Sequence, residues 1–264
     1  MGVITKISLS EVNELFPTYN FIELLPTSSG IIDTTYIVKN DKKSYILKKY
    51  ERNISNQVKE DTKLLNYLHQ KGLNVPLCID FQNEWYIYSK LKGSQPKTIR
   101  SKHIQLLGRF IAKLHKTILP LKCSSKNNNK NEILESLRYT KNHYFHYYKR
   151  YEFLKFIPFK NELLIHGDIF KDNTTFSQNK IGVFDFIDSS CGTLIFDVAI
   201  ALIGFDVKRT NNYLLNTFLI SYNQHAPKKL QKYEVKEQMK IASHYYSLKR
   251  LNKYKNTKRA KELI

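Results

Sequence analysis

The stretch Leu163–Asp188, LLIHGDIFKDNTTFSQNKIGVFDFID, holds two short apolar runs that each end on a carboxylate. Asp168 follows LLIHG, and Asp185 follows IGVF. A buried strand that closes on an acid needs a reason, because an ionised carboxylate is costly to take out of water unless it is paired or hydrogen-bonded. LLI reads as a short strand, which His166-Gly167-Asp168 leaves. Residues 174–176 and 181–184 read as the arms of a hairpin, with Ser177-Gln178-Asn179-Lys180 between them. Asn179 is the midpoint of Asn173 and Asp185, so folding the hairpin is expected to set those two side by side. An amide oxygen and a carboxylate are hard ligands suited to Mg²⁺. Asp168, five residues before Asn173, stands at the mouth of the same loop, placed to face a substrate hydroxyl. Phosphoryl transfer needs this inventory: a carboxylate for the hydroxyl proton, a metal held by Asp and Asn, and a lysine from another strand to orient phosphates. The plain alternative is a turn-rich hairpin using Asp and Asn as turn formers. The spacing His-x-Asp-x-x-x-x-Asn followed by a strand-end Asp is the more specific signal.

Charge distribution points to the same place. The 264 residues carry a formal net charge of +20, which raises nucleic acid or an anionic surface as partners. Yet residues 161–205 hold 2 basic and 6 acidic residues, whereas 101–160 hold 13 and 3 and 206–264 hold 14 and 4. A local acidic segment in so basic a chain suggests a place for a cation. Hydrophobic residues make up 42%, enough for a sizeable core. No apolar run is long enough to span a membrane, and MGVITKISLSEV lacks an apolar signal region. A cytoplasmic location is expected. Cys78, Cys123 and Cys191 have no metal-ligand spacing and read as reduced thiols.

Outward from the opening stretch, residues 8–16 suggest a short helix with a Ser cap. FIELLP, TTYIVKN and SYILKKY suggest an antiparallel meander, turning at Thr27-Ser28-Ser29-Gly30 and at Asn40-Asp41-Lys42. Residues 57–70 place Val58, Asp61, Leu64, Leu65 and Leu68 on one helical face. VPLCID and EWYIYSKL read as two further strands, and Lys92-Gly93-Ser94 as a hinge. Beyond it, Ile104, Leu107, Ile111 and Leu114 mark a helix, residues 124–131 a polar loop, and 132–156 a long aromatic helix. Asp197 is expected to cap a buried helix, DVAIALIGF, with further helices over 211–224 and 234–256. The predicted fold class is α+β with two lobes: residues 1–93, a small antiparallel-sheet lobe, and residues 94–264, a larger, mainly α lobe.

These motifs resemble the aminoglycoside phosphotransferase and choline kinase superfamily, which shares the protein-kinase-like fold. HGDIFKDN is similar to its catalytic loop, VFDF to its second metal motif, LLGRFIAKLH to the helix after the hinge, and SYILKKY to the strand that carries the ATP lysine. The resemblance covers nearly the whole chain. It implies ATP and Mg²⁺ as cofactors, with ATP between a nucleotide-binding lobe (1–93) and a catalytic and substrate-binding lobe (94–264). It implies Asp168 as catalytic base, Asn173 and Asp185 as metal ligands, and His166 as a structural brace. It also implies Lys48 on the phosphates, a choice over Lys49 that strand alternation alone leaves open. Glu60 or Asp61 would pair with that lysine, Glu60 being preferred. Asp197 would tie down the catalytic loop. The loop PTSSGIIDTTY has one glycine, so Ser28, Ser29, Gly30 and Thr34 are the candidates for covering the phosphates, and Ser89 and Leu91, with Lys90 between them, for receiving adenine.

The layout is most similar to the bacterial homoserine kinase type, through ISLSEVNELFPTYNF, SSGIIDTTYIV and KIASHYYSLKRL, although the chain stops about one helix short of that pattern. A small-molecule hydroxyl is therefore the expected acceptor, L-homoserine first, with choline, ethanolamine, aminoglycosides or sugars as alternatives. Only four acids lie in residues 206–264, which speaks against a polycation. Arg250 and Asp206 are candidates for an amino acid's carboxylate and amine. A different class, nucleic-acid binding, is raised by His143–Arg150, HYFHYYKR, which interleaves aromatic and basic residues. At helical spacing that strip reads instead as a core-facing aromatic stripe with a basic, solvated side. Nucleic acid and membrane are not expected as partners, and the sequence is silent on oligomeric state.

Overall fold

The computed structural model describes residues 3–27, 32–121, 123 and 129–254. They form two compact units, Met1–Gly93 with Gly182–Ile187, and Ser94–Ile181 with Asp188–Ile264.

In the first unit, α1 (Leu9–Leu15) begins at a Ser8 capping box completed by Glu11, which satisfies two otherwise unpaired amides. An antiparallel sheet follows, made of β1 (Glu23–Pro26), β2 (Thr34–Lys39), β3 (Ser44–Lys49), β4 (Cys78–Gln82) and β5 (Trp85–Ser89). Its strand order is β1-β2-β3-β5-β4. The β4–β5 turn places Asn83 and Glu84 at φ 46° and 69°. Two consecutive positive-φ residues fit the tight hairpin in which Gln82 faces Trp85. Val12, Phe16, Phe21, Tyr36, Val38, Leu47, Trp85 and Ile87 form the core between sheet and α1. Helix α2 (Ser55–Gln70) buries Val58, Asp61, Leu65 and Leu68; Leu64, expected on that face, is half-buried.

The second unit is mainly helical. Helix α3 (Ser101–Ile118) buries Ile104, Leu107, Ile111 and Leu114 as the periodicity requires, and packs on α7 (Asn212–Asn223). The apolar α6 (Leu194–Gly204) packs on α8 (Lys232–Tyr254). Strand β6 (Leu163–Ile165) pairs with β9 (Ser190–Gly192). Strands β7 (Thr174–Ser177) and β8 (Lys180–Val183) form the expected hairpin.

Three expectations need correction. The long aromatic helix is interrupted: α4 (Asn129–His143) ends at Tyr144, α5 (Phe145–Tyr151) follows, and Glu152–Phe156 is 3₁₀. Tyr144 has φ −141° and ψ 52°, outside the helical region, so no single face can stay buried along the strip. Tyr151 is buried, but Phe145 is 57% exposed. Helix α6 is capped by Thr193, which accepts from the Phe196 amide, and Asp197 lies inside its first turn. Finally, Cys123 and Cys191 are joined in a disulfide, with Cα atoms 5.7 Å apart, while Cys78 remains a thiol. Spacing alone does not bring together two cysteines 68 residues apart. A link closing that loop stabilises by about 4 kcal/mol in the chain-entropy picture. Thiol titration of the unfolded, unreduced protein is expected to find one reactive thiol per chain, rising to three after reduction. Three before reduction would contradict the bond.

Candidate active site

In the first unit the geometry is built on β3. Leu47 is buried in the core, so its neighbours in the strand face the other way. Lys49 returns to the core side, where its ammonium lies 5.9 Å from the centre of the Trp85 ring and 3.5 Å from Glu84. Lys48 points away from that side. Its Nζ donates to Asp185 Oδ1 at 3.0 Å, lies 3.8 Å from Asp33 Oδ2, and stands over the Tyr50 ring at 4.6 Å. Burial works to lower the Lys48 pKa, but the carboxylates of Asp185, Asp33 and Asp61 outweigh it and hold the ammonium above its ordinary value. Strand geometry thus gives Lys48, not Lys49, the carboxylate cluster.

Asp185 adopts φ 68°. That conformation is uncommon for a non-glycine residue and costs on the order of 1 kcal/mol. Asp33 was not foreseen. It is buried, pairs with Arg52 at 3.1 Å and accepts from the Glu51 amide at 3.2 Å. Its only sequence signal was its place after the glycine-bearing loop. Glu60, the preferred partner for Lys48, is exposed; Asp61 is the acid that faces inward. A helix turns 100° per residue, so adjacent acids cannot share a face. Thr34 is also committed elsewhere. Its buried hydroxyl donates to Glu51 at 2.5 Å and accepts from the amides of Ile4 and Thr5. Ser28, Ser29 and Gly30 lie outside the described residues. Ser89 closes β5, its amide donating to the Leu77 carbonyl and its hydroxyl accepting from the Leu77 amide. Leu91 is half-buried just beyond it.

In the second unit the loop after β6 is organised by Asp197, which is fully buried. Asp197 Oδ1 accepts from the Gly167 amide at 2.8 Å. Its Oδ2 meets the His166 amide at 3.3 Å and His115 Nε2 at 3.1 Å. On the far side of that ring, Nδ1 meets the Tyr222 hydroxyl at 2.8 Å. One arrangement satisfies all three groups: Tyr222 donates to Nδ1, and Nε2–H donates to the carboxylate. Burial pushes the Asp197 pKa upward, but the His115 hydrogen bond, the electrostatic pull of the His115 and His166 rings and the Gly167 amide hold it below its ordinary value. His115 and Tyr222 were not foreseen as parts of the site; the helical spacing marks both simply as core positions.

The loop then presents its own groups. The Asp168 amide donates to His166 Nδ1 at 3.2 Å, a contact within the turn made by a buried ring. Gly167 sits at φ 71°, a conformation open to glycine without strain. Asn173 Nδ2 donates both to the Asp168 carbonyl, at 2.9 Å, and to its carboxylate Oδ2, at 3.0 Å. Both donations come from the amide nitrogen, which leaves the amide oxygen to act as a hard ligand. Of the remaining candidates, Asp206, at φ 56°, accepts from Lys171 of the loop at 2.6 Å, and the Arg250 guanidinium lies 5.5 Å from the Phe170 ring centre. Asp206 and Arg250 therefore both touch the loop, through adjacent residues. Lys171 was not singled out in the sequence.

Removing Asp197 would strand two buried amides and a histidine N–H. Each such group costs about 1–3 kcal/mol, so Asp197→Ala is expected to lose at least about 3 kcal/mol in urea denaturation. Because the native pKa is depressed, the Asp197 contribution is complete above the unfolded value and fades as pH falls through the native one. The variant should consequently lose less stability on acidification than the wild type. A loss below about 1 kcal/mol with an unchanged acid limb would refute the bracing role.

Residues 23–224 match the model of the phosphotransferase enzyme family APH. Homoserine kinase of Polaromonas naphthalenivorans (strain CJ2) is 24% identical over 265 residues, covering 86% of this chain and 81% of that protein. Amicoumacin kinase hAmiN, solved with AMP-PNP, Ca²⁺ and Ami, is similar with a TM-score of 0.69 and 16% identity over 97% of this chain and 91% of that one. Choline kinase LicA from Streptococcus pneumoniae has a TM-score of 0.60 and 18% identity, over 96% of both chains. The antiparallel sheet and the mainly helical second unit are thus those of a protein-kinase-like fold, and the chain belongs to the phosphotransferase enzyme family.

Proposed function

We propose that the protein transfers the γ-phosphate of ATP to the hydroxyl of a small molecule, with L-homoserine as the first candidate, and that it works in the cytoplasm. The observation that carries this reading is the Asp168 carboxylate, fixed 3.0 Å from Asn173 Nδ2 on a loop pinned from beneath by Asp197. A carboxylate held in that way orients an alcohol and takes its proton late, as the loose transition state of phosphoryl transfer requires. Lys48, kept protonated by its ring of acids, pairs with the α- and β-phosphates. The Asn173 amide oxygen and the Asp185 carboxylate would hold Mg²⁺, whose charge offsets that of the phosphates. Asp61 replaces Glu60 as the acid proposed to support Lys48.

The groups beside the loop favour a zwitterionic acceptor. A polycationic aminoglycoside needs surplus carboxylates, and Asp206 is already matched by Lys171. Arg250, which lies over the Phe170 ring of the loop, offers a basic group for the carboxylate that an amino acid such as homoserine carries and choline does not. The curated relative's activity agrees with this choice. A reducing cytoplasm would open the Cys123–Cys191 bond, so turnover belongs in assays with and without reductant.

The deciding experiment is ATP consumption against homoserine, choline, ethanolamine, an aminoglycoside and a hexose. Homoserine is expected to give the highest kcat/KM. Preference for choline or an aminoglycoside would move the substrate within the family, and turnover of none would remove the kinase reading. Asp168→Ala should lower kcat by about 10³-fold or more with nucleotide binding retained; wild-type turnover in that variant would overturn the role of Asp168.

A further inference from the structure

Helix α8 reaches the loop after β6 through a buried side chain, Tyr246, which is 8% exposed. Its hydroxyl donates to the Gly167 carbonyl oxygen, and the Asp168 carboxylate is near enough to act on it electrostatically. Burial, and then the charge of Asp168, push its pKa well above the ordinary phenol range, so the group stays a donor at working pH. The tyrosine ring packs on Phe170 at 5.1 Å between centroids. Phe170 in turn carries the Arg250 guanidinium on its ring. From the other side the loop rests on α6 with no space to spare: a Cβ at Gly204 would come within 2.8 Å of the Ile169 carbonyl oxygen and 2.9 Å of Phe170.

Residues 167–170 are therefore held at three points. Asp197 takes the amides of His166 and Gly167, α6 abuts Ile169 and Phe170, and Tyr246 takes the carbonyl of the peptide that joins Gly167 to Asp168. That last contact is special. The Gly167 carbonyl belongs to the peptide plane whose N–H enters Asp168, and that N–H is itself held by His166 Nδ1. Fixing both ends of one peptide fixes the plane that carries the Asp168 N–Cα bond, and the Asp168 carbonyl, held by the Phe170 amide and Asn173, restrains rotation about it. Asn173 then locks the carboxylate further out. Tyr222 and Tyr151 are also buried with bonded hydroxyls, but theirs go to His115 and Ser247, and neither acts on this peptide.

We propose that Tyr246 is a positioning residue for phosphoryl transfer: its hydroxyl holds the Gly167–Asp168 peptide so that the Asp168 carboxylate meets the acceptor hydroxyl. The inference rests on Asp168 being the catalytic base. It predicts an effect on the chemical step from a hydroxyl that acts through the loop backbone. Loss of the hydroxyl leaves the ring and its packing in place, so the fold and nucleotide binding persist while the carboxylate gains freedom.

The test is Tyr246→Phe beside a variant carrying 3-fluorotyrosine at position 246, which keeps the hydroxyl. Tyr246→Phe is expected to lower kcat by about 10- to 100-fold, within the range that a misplaced catalytic group costs. KM for ATP should stay within twofold and the melting temperature close to wild type, and the fluorotyrosine variant should retain most of the activity. Amide exchange over residues 166–170 should accelerate in Tyr246→Phe and not in the fluorotyrosine protein. This readout needs no acceptor, so it judges the inference even if every tested substrate fails. Wild-type kcat in Tyr246→Phe, unchanged exchange, or a loss of kcat matched by an equal rise in KM and a fall in melting temperature would each overturn the positioning role. Wild-type phosphotransfer accompanied by any of these would leave the kinase reading standing. A wild-type protein with no turnover but accelerated exchange in Tyr246→Phe would support the contact and fail the kinase reading instead.

Discussion

A single buried carboxylate organises the second unit. Asp197 is wholly removed from water, yet it stays ionised because three donors converge on it: two from the loop after β6 and one from the histidine of α3. Such a charge is tolerable only when it is fully satisfied. The requirement runs both ways. The helix that carries Asp197 cannot settle until the loop presents its amides, and the loop cannot take another path without leaving a charge bare. Tyr222 extends the constraint to α7 through the far nitrogen of His115. Three helices and the site loop thus answer to one group.

The first unit solves the opposite problem around a cation. Lys48 is largely withdrawn from solvent on a strand, and the acids about it outweigh the cost of that burial to the ammonium. One of those acids, Asp185, stands in a backbone conformation that its side chain does not favour. That cost is tolerable where the position itself matters, and the pairing with Lys48 at 3.0 Å shows what the position provides.

Much of this was legible in the sequence because it depends on local rules. The meander, the cap at Ser8, the apolar face of α3 and the aspartate spacing all follow from turn chemistry, capping and periodicity. What escaped is non-local. Periodicity finds the helices that carry His115 and Tyr222, but it cannot say that the two side chains meet across 107 residues. Likewise, spacing cannot pair Cys123 with Cys191. Of the two acids left open for Lys48, the preferred Glu60 faces solvent, whereas helix geometry already put Asp61 with Val58 and Leu65. Asp197 was taken for a cap because Asp is a good one, while Thr193, equally suited, held the place and freed Asp197 for the interior. The aromatic strip misled because a uniform composition hid a break at Tyr144 that no proline or glycine announces. The identity of the acceptor depends on groups such as Lys171 and Asp206, whose pairing only the folded chain reveals.

The short segment Gly182–Ile187 belongs to the first unit although the chain on both sides of it belongs to the second. The division at Gly93 therefore does not mark a place where the protein can be cut into two working halves. A fragment ending there would hold the β3 lysine without its nearest carboxylate, leaving Asp33 and Asp61 alone to oppose desolvation. Gene fusions, split reporters or recombination between relatives would meet the same obstacle. The two units can be exchanged only as a discontinuous pair of segments, so this enzyme's parts are inherited together.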